Sequence, residues 1–169
     1  MKKLFCTGIV SCCMLVAANV YSEGFYVGSD YARLTVNSSD PSLDAVVLTG
    51  GFQVNNWLSL EGRFGKSSKE KDDGASLEID AMFGAYAKLS GRNEISPVSP
   101  YLVLGYTRAK FELIDDGDDL GNTVSDVSYG LGVDFKVNDS LFIGVEGMQY
   151  FDKNDDKLTG YSIGIDYKF

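Results

Sequence analysis

The chain has 169 residues, enough for one domain and too few for two well-buried cores. Hydrophobic residues make up 44% and charged residues 23%, which excludes a disordered chain, and the formal charge of −9 disfavours nucleic acid as a partner. With 19 Gly, 10 Tyr and 10 Phe against 3 Pro and no His, the composition points to strands and excludes histidine-based catalysis.

The first element is a targeting segment. Lys2 and Lys3 precede an apolar stretch from Leu4 to about Ala18, followed by Val20, Tyr21 and Ser22. This order of charged, apolar and small-residue regions predicts a signal peptide, residues 1–22, cleaved after Ser22 or alternatively after Ala18. A retained N-terminal anchor and a lipobox at Ile9-Val10-Ser11-Cys12 are the other readings of the same residues. Cleavage leaves a domain of 147 residues, 23–169, without Cys6, Cys12 and Cys13. Its charge is then −11, so stability has to come from a core or a closed sheet rather than from disulfides.

The rest reads as eight strands. Phe25 to about Arg33 is the first, and its sidedness is ambiguous because Tyr26, Ala32 and Leu34 suit either face. Val46, Leu48, Gly50, Phe52 and Val54 share one face of the second, and Leu58, Leu60, Gly62 and Phe64 one face of the third. In the fourth, the odd positions from Leu77 to Leu89 are apolar, and Glu78, Asp80, Met82, Gly84, Tyr86 and Lys88 oppose them. The fifth sets Tyr101, Val103, Gly105, Thr107, Ala109 and Phe111 against Leu102, Leu104, Tyr106, Arg108 and Lys110. Val127 to Phe135 and Leu141 to Gly147 give the sixth and seventh. The eighth alternates without a break through Tyr161, Ile163, Ile165, Tyr167 and Phe169.

The connections alternate in length. Short links fall at Asn55-Asn56, Ser90 to Pro100 and Asn138-Asp139-Ser140, and longer polar loops at Asn37 to Leu43, Ser67 to Ala75, Ile114 to Thr123 and Asp152 to Leu158. A short internal repeat runs parallel to this order: Phe52, Val54, Asn55, Asn56 and Leu58 match Phe135, Val137, Asn138, Asp139 and Leu141. Both copies predict a hairpin with an Asn turn.

The predicted fold class is all-β: an eight-stranded antiparallel up-and-down transmembrane β-barrel. Such strands cross a bilayer with an apolar outer face, and only a closed sheet leaves no unpaired edge in lipid. The polar face collects Glu61, Arg63, Glu78, Asp80, Lys88, Arg108, Lys110, Glu112, Asp134, Lys136, Glu146, Asp166 and Lys168. Both signs are mixed, as a narrow lumen needs for pairing. Phe25, Tyr101, Phe135, Tyr161, Tyr167 and Phe169 are expected outside, near the strand ends, as aromatic girdles. Turning the apolar face inward gives the alternative, a soluble periplasmic ligand-binding barrel.

Glu23-Gly24-Phe25-Tyr26-Val27-Gly28, Pro100-Tyr101-Leu102-Val103-Leu104-Gly105-Tyr106 and the terminal Tyr167-Lys168-Phe169 resemble the small outer-membrane β-barrel proteins of Gram-negative bacteria, of the OmpA/OmpX and opacity-protein type. The resemblance covers the whole of residues 23–169 and implies placement in the cell outer membrane with both termini periplasmic. It further implies contact with the lipid bilayer and lipopolysaccharide, and recognition of Tyr167 and Phe169 by the barrel-insertion machinery. Unlike OmpA, the sequence shows no domain after the barrel, so peptidoglycan anchoring is not expected.

No catalytic, cofactor-binding or metal-binding residue is expected, and the chain is read as not an enzyme. Glu78 and Asp80 share a strand face and are expected to pair with Arg63 or Arg108. Asp152, Asn154 and Asp156 have calcium-loop spacing, but Lys157 replaces the required Gly and Ile163 the bidentate Glu. Asp115, Asp116, Asp118 and Asp119 leave weak divalent binding as a hypothesis. The function expected is structural or surface-interacting, through displayed loops that offer an extracellular protein or cell surface a partner. A small passive pore is the alternative, opposed by bulky lumen residues at Tyr86, Tyr106, Phe142 and Met148.

Overall fold

The computed structural model describes residues 24–36, 39–68, 70–72, 75–91, 96–115, 118–153 and 156–169; the predicted signal segment lies outside them. Nine strands follow in order: β1 (Phe25–Val36), β2 (Ser39–Gln53), β3 (Leu58–Ser67), β4 (Glu70–Asp72), β5 (Ala75–Ser90), β6 (Val98–Asp115), β7 (Asp118–Lys136), β8 (Leu141–Lys153) and β9 (Asp156–Lys168). Each pairs antiparallel with its neighbours, β1 with β9 and β3 with β5, so the sheet closes on itself. The ninth strand leaves the barrel eight-stranded, because β3 and β4 are consecutive pieces of one wall, both paired to β5. At the break Ser68 N donates to Asp44 O at 2.8 Å.

The base of the barrel, where Phe25 and Phe169 meet, has tight turns built by the predicted repeat. In one copy Val54 N donates to Leu58 O at 2.9 Å, and Asn55 Oδ1 accepts from Trp57 N and Leu58 N. In the other, Val137 N donates to Leu141 O at 2.9 Å, and Asn138 Oδ1 accepts from Ser140 N and Leu141 N. An Asn side chain here replaces the turn's missing backbone acceptor. The link from Ser90 crosses residues 92–95, outside the described set, and Gly91 N meets Pro100 O at 2.8 Å. At the opposite end, the mouth, the predicted loops are shorter than expected. The ladders continue to Val36↔Ser39, Asp115↔Asp118 and Lys153↔Asp156, so the polar residues there extend strands as hairpins.

The outer face is apolar from the base to a ring of tyrosines below the charged rim of the mouth. Phe25, Phe52, Phe135, Tyr167 and Phe169 are exposed near the base, and Tyr31, Tyr106, Tyr129 and Tyr161 nearer the mouth, with Leu102, Leu104, Leu131, Ile163 and Ile165 between. A soluble barrel would bury this face, so the periplasmic ligand-binding alternative is overturned. The first strand's ambiguity resolves too, since Tyr26, Ala32 and Leu34 are all buried in the lumen.

β6 is inverted relative to expectation. Tyr101, placed outside by the sequence reading, is buried in the lumen, while Tyr106, Arg108 and Lys110 face outward. A regular strand offers two apolar faces here, and the neighbouring ladder decides between them: Lys88, a lumen residue, pairs with Val103. Asp80 is a second correction. A bulge between Ile79 and Ala81 breaks the alternation and turns its carboxylate away from Arg63, toward Lys66 at 3.3 Å and Lys110 at 3.6 Å. The side chains of Glu78 and Glu112 lie outside the described residues.

Candidate functional site

The lumen of an eight-stranded barrel is just wide enough to be filled by side chains. Here they meet across it. Arg63 on β3 donates from Nη1 and Nη2 to Oε1 and Oε2 of Glu146 on β8, at 2.6 and 2.9 Å. These strands stand four positions apart in either direction round the closed sheet, so the pair spans the diameter. Arg63 also holds Glu61 Oε2 at 2.7 Å, and Tyr26 donates its hydroxyl to Glu61 Oε1 at 2.5 Å. Lys88 reaches Asp134 at 2.9 Å, with Glu61 and Asp166 at 3.9 and 4.0 Å. Both cations lie on aromatic faces: Arg63 is 4.9 Å from the Tyr86 ring centre and Lys88 is 4.0 Å from that of Tyr101.

Small residues make room for the rings. A Cβ on Gly51 would collide with the Tyr26 ring, and one on Gly132 with the Tyr101 ring. Beside the charges a hydroxyl chain runs from Tyr86 to Thr107 at 2.6 Å, to Ser128 and on to the carbonyl of Tyr150 at 2.7 Å. Toward the mouth the lumen turns apolar, with Ala32, Leu34, Leu43, Ala45, Ala109, Phe151 and Leu158 packed together. At the base, Gln53, Ser59, Ser90, Phe142 and Lys168 edge a recess of about 20 Å³, room for about one water. Bridges across the diameter and an apolar plug fill this barrel.

Among the described residues, basic side chains stand on the outer rim above the aromatic band. Lys66, Arg108 and Lys110 point outward there, with Asp80 held between the two lysines. Arg33 pairs with Asp44 at 3.3 Å on the same rim. Arg108 makes no ion pair among the described residues.

The outer membrane protein beta-barrel domain family matches residues 4–169. The chain belongs to that family. Its placement is therefore the Gram-negative outer membrane. No curated protein sequence matches it. Among solved structures, this outer-membrane barrel is similar in fold to the Neisserial surface protein A, with 20% identity, TM-score 0.73, and coverage of 87% of this chain and 98% of that one. It is also similar to Ail, the attachment invasion locus protein of Yersinia pestis, at 19% identity, TM-score 0.63, covering 88% and 100%. The N-terminal barrel of Pseudomonas aeruginosa OprF follows at 12% identity and TM-score 0.62, covering 84% and 97%.

Within this outer-membrane barrel, the expected lumen set is brought together in part. Glu61, Arg63, Lys88, Asp134, Glu146 and Asp166 meet inside, and Lys168 binds Gln53 Oε1 at 2.8 Å. Lys136 instead pairs with Asp139 at the base, at 2.7 Å. Of the bulky residues set against a pore, Tyr86 and Met148 are buried and Phe142 lines the basal recess, whereas Tyr106 is outside. Asp152 pairs with Lys157 at 3.7 Å, and the side chains of Asp115 to Asp119 lie outside the described residues. Sequence reasoning missed the hydroxyl chain and the apolar plug. Leu34, Leu43 and Leu158 carry the plug's only sequence signal, as large apolar residues in the predicted loops or at a strand end.

Proposed function

We propose that this barrel is a non-conducting structural and surface-interaction protein of the outer membrane, with its base periplasmic and its hairpins outside. The observation that carries this reading is the filled lumen. With the interior committed to Arg63–Glu61–Glu146, Lys88–Asp134 and the apolar plug, only the outer wall, the rim and the hairpins are left to act. The chain has no His, and Glu61, Glu146 and Asp134 are engaged with cations, so the reading assigns no reaction. Its finer parts are a signal peptide over 1–22 and recognition of the outward-facing Tyr167 and Phe169 by the insertion machinery.

The rim residues supply a lipid contact. Among the described residues, Lys66 and Lys110 hold Asp80 between them and Arg108 faces outward beside them, just above the aromatic band, the level of phosphorylated lipid headgroups. That arrangement supports lipopolysaccharide as the neighbouring lipid. Ail, of the same fold, was solved with the heparin analogue sucrose octasulfate, a polyanion. Two measurements test the proposal. Planar-bilayer recording of purified protein is expected to show no steady unitary current, and such currents overturn the non-conducting reading. Lipid A is expected to raise the melting temperature of the barrel more than dephosphorylated lipid A does. An equal effect, or one unchanged by Lys66→Gln/Arg108→Gln/Lys110→Gln, removes the lipopolysaccharide contact.

A further inference from the structure

The ladders of β2, β3 and β5 set three small residues side by side on the outer wall: Gly50 pairs with Gly62, and Gly62 with Ala85. All three are exposed, and the floor they form runs about 10 Å, two strand spacings. Large apolar side chains bank it on both sides. Phe64 and Phe83 stand on the mouth side with ring centroids 4.9 Å apart, and Phe52 stands on the base side, 4.8 Å from Phe25. The barrel's own side chains leave this trough open. A Cβ on Gly50 would meet nothing within 4 Å, and one on Gly62 would meet only the Gly50 carbonyl, at 4.0 Å. The outward Gly147 differs, since a Cβ there would meet the Tyr161 ring at 3.5 Å.

The trough slopes toward the base, because the strands of a closed barrel tilt. Gly50 lies three residues from the basal end of its strand, Gly62 four, Ala85 five and Arg108 ten. Its upper end opens beside Arg108, which stands diagonal to Ala85 across the β5–β6 ladder, about 7–8 Å away. Lys110, one outward step above Arg108, shares Asp80 with Lys66. Charge and polarity together select the occupant. Among the described residues, three basic side chains and one carboxylate stand at the head of the trough, and its floor and banks are wholly apolar. A phosphorylated headgroup followed by an acyl chain matches them in that order. In lipid a chain gains by packing rather than by leaving water, and a trough between ring pairs offers it more contacts than a flat wall. A second copy in the same membrane would bring its own Lys66, Arg108 and Lys110 to the same level, which opposes pairing between copies.

We propose that the trough over Gly50, Gly62 and Ala85 seats one acyl chain of lipid A, with a phosphate of the same molecule on Arg108. The proposal rests on the lipopolysaccharide contact above and gives it a position on the wall. Native mass spectrometry tests it by counting the lipid that the folded barrel retains after mild detergent extraction from nanodiscs of lipid A and phosphatidylethanolamine. Gly50→Leu/Gly62→Leu fills the trough where both positions have room for a side chain, and heat-modifiable gel migration checks that the barrel has folded. The double variant is expected to retain about fivefold less lipid A, the loss of roughly ten carbon–carbon contacts. Its preference for lipid A over dephosphorylated lipid A is expected to stay. Ala85→Leu fills the upper end alone and is expected to act in the same direction, and Val145→Leu, on the far wall, is expected to change nothing. Unaltered retention in the filled variants overturns the trough and leaves the lipopolysaccharide contact standing, as does an equal loss with Val145→Leu. If filling depletes phosphatidylethanolamine instead, or dissociates paired barrels, the occupant is a phospholipid or a second copy and the proposal is overturned. A wild-type barrel that retains dephosphorylated lipid A equally well overturns the lipopolysaccharide contact itself, and the proposal with it.

Discussion

Arg63 and Glu146, 83 positions apart in sequence, face each other across the full width of the lumen and join through two hydrogen bonds of 2.6 and 2.9 Å. A two-pronged guanidinium–carboxylate contact fixes orientation as well as distance. It also ties β3 to β8, strands that share no ladder, so closure of the barrel is reinforced through its interior as well as round its wall. Glu61 completes the arrangement. Its two oxygens are divided between Arg63 and the Tyr26 hydroxyl, which leaves the buried carboxylate fully engaged.

The two ends of this bridge are not equivalent. Arg63→Ala leaves Glu61 and Glu146 buried without their principal cation and is expected to cost about 3–5 kcal/mol. Glu146→Gln is expected to cost less, because Arg63 keeps Glu61. Urea unfolding of the barrel in lipid bilayers, followed by tyrosine and tryptophan fluorescence, gives both values. Equal losses would mean that Glu61 does not share the load.

Tyr26 depends on the glycine across from it. The ring lies against Gly51 and its hydroxyl binds Glu61, so Gly51→Val displaces the ring and breaks that hydrogen bond. Tyr26→Phe removes the hydrogen bond alone, at about 1.5–3 kcal/mol for a bond to a charged acceptor. In the double variant the hydrogen bond can be lost only once, so the two costs are expected to add to less than their sum. Full additivity would show that Gly51 acts on something other than Tyr26.

Strand existence and the base turns were legible because they are local. The alternation of Tyr161 to Phe169 and the Asn55 and Asn138 repeat carry their own signals, and each appears in the structure as read. Sidedness was legible only where one face is charged, as at Glu61-Arg63. β6 offers apolar residues on both faces, and its orientation is fixed by the register with β5 and β7, which no local pattern encodes. Asp80 was misplaced because a bulge leaves no mark on alternation until its partner strand is known. The lumen pairs escaped assignment for the same reason. Composition offered Arg63 several carboxylates, and barrel closure selected the one on the opposite wall.

The inverted β6 can be tested directly. Spin labels at Leu102 and Leu104 are expected to be reached by oxygen dissolved in lipid, and labels at Tyr101 and Val103 to be shielded from it. Leu131, cross-strand from Leu102 and 67% exposed, gives the energetic counterpart. Leu131→Arg places a charge in the apolar band and is expected to cost about 2–4 kcal/mol near the midplane. A negligible cost would take Leu131 off the lipid-facing wall, and oxygen access at Tyr101 and Val103 in place of Leu102 and Leu104 would restore the β6 face assignment that alternation alone suggests.

The two Asn turns allow a test of equivalence. Asn55 and Asn138 each accept two backbone N–H bonds on separate hairpins at the base, so each Asn→Ala exchange removes the same acceptor from the same turn geometry. The donors at Trp57, Leu58, Ser140 and Leu141 lie where water or headgroups can reach them. Each cost is therefore expected near the net worth of a hydrogen bond, about 1 kcal/mol, rather than the larger penalty of a buried orphan. The sites share no partner, so the double variant is expected to lose the sum within about 0.5 kcal/mol. Lys136–Asp139 at 2.7 Å adds an ion pair to the second turn alone, but Asp139 is solvent-exposed and exposed pairs contribute little. A markedly larger loss at Asn138 than at Asn55 would mean that this surface pair and the Asn cap act together.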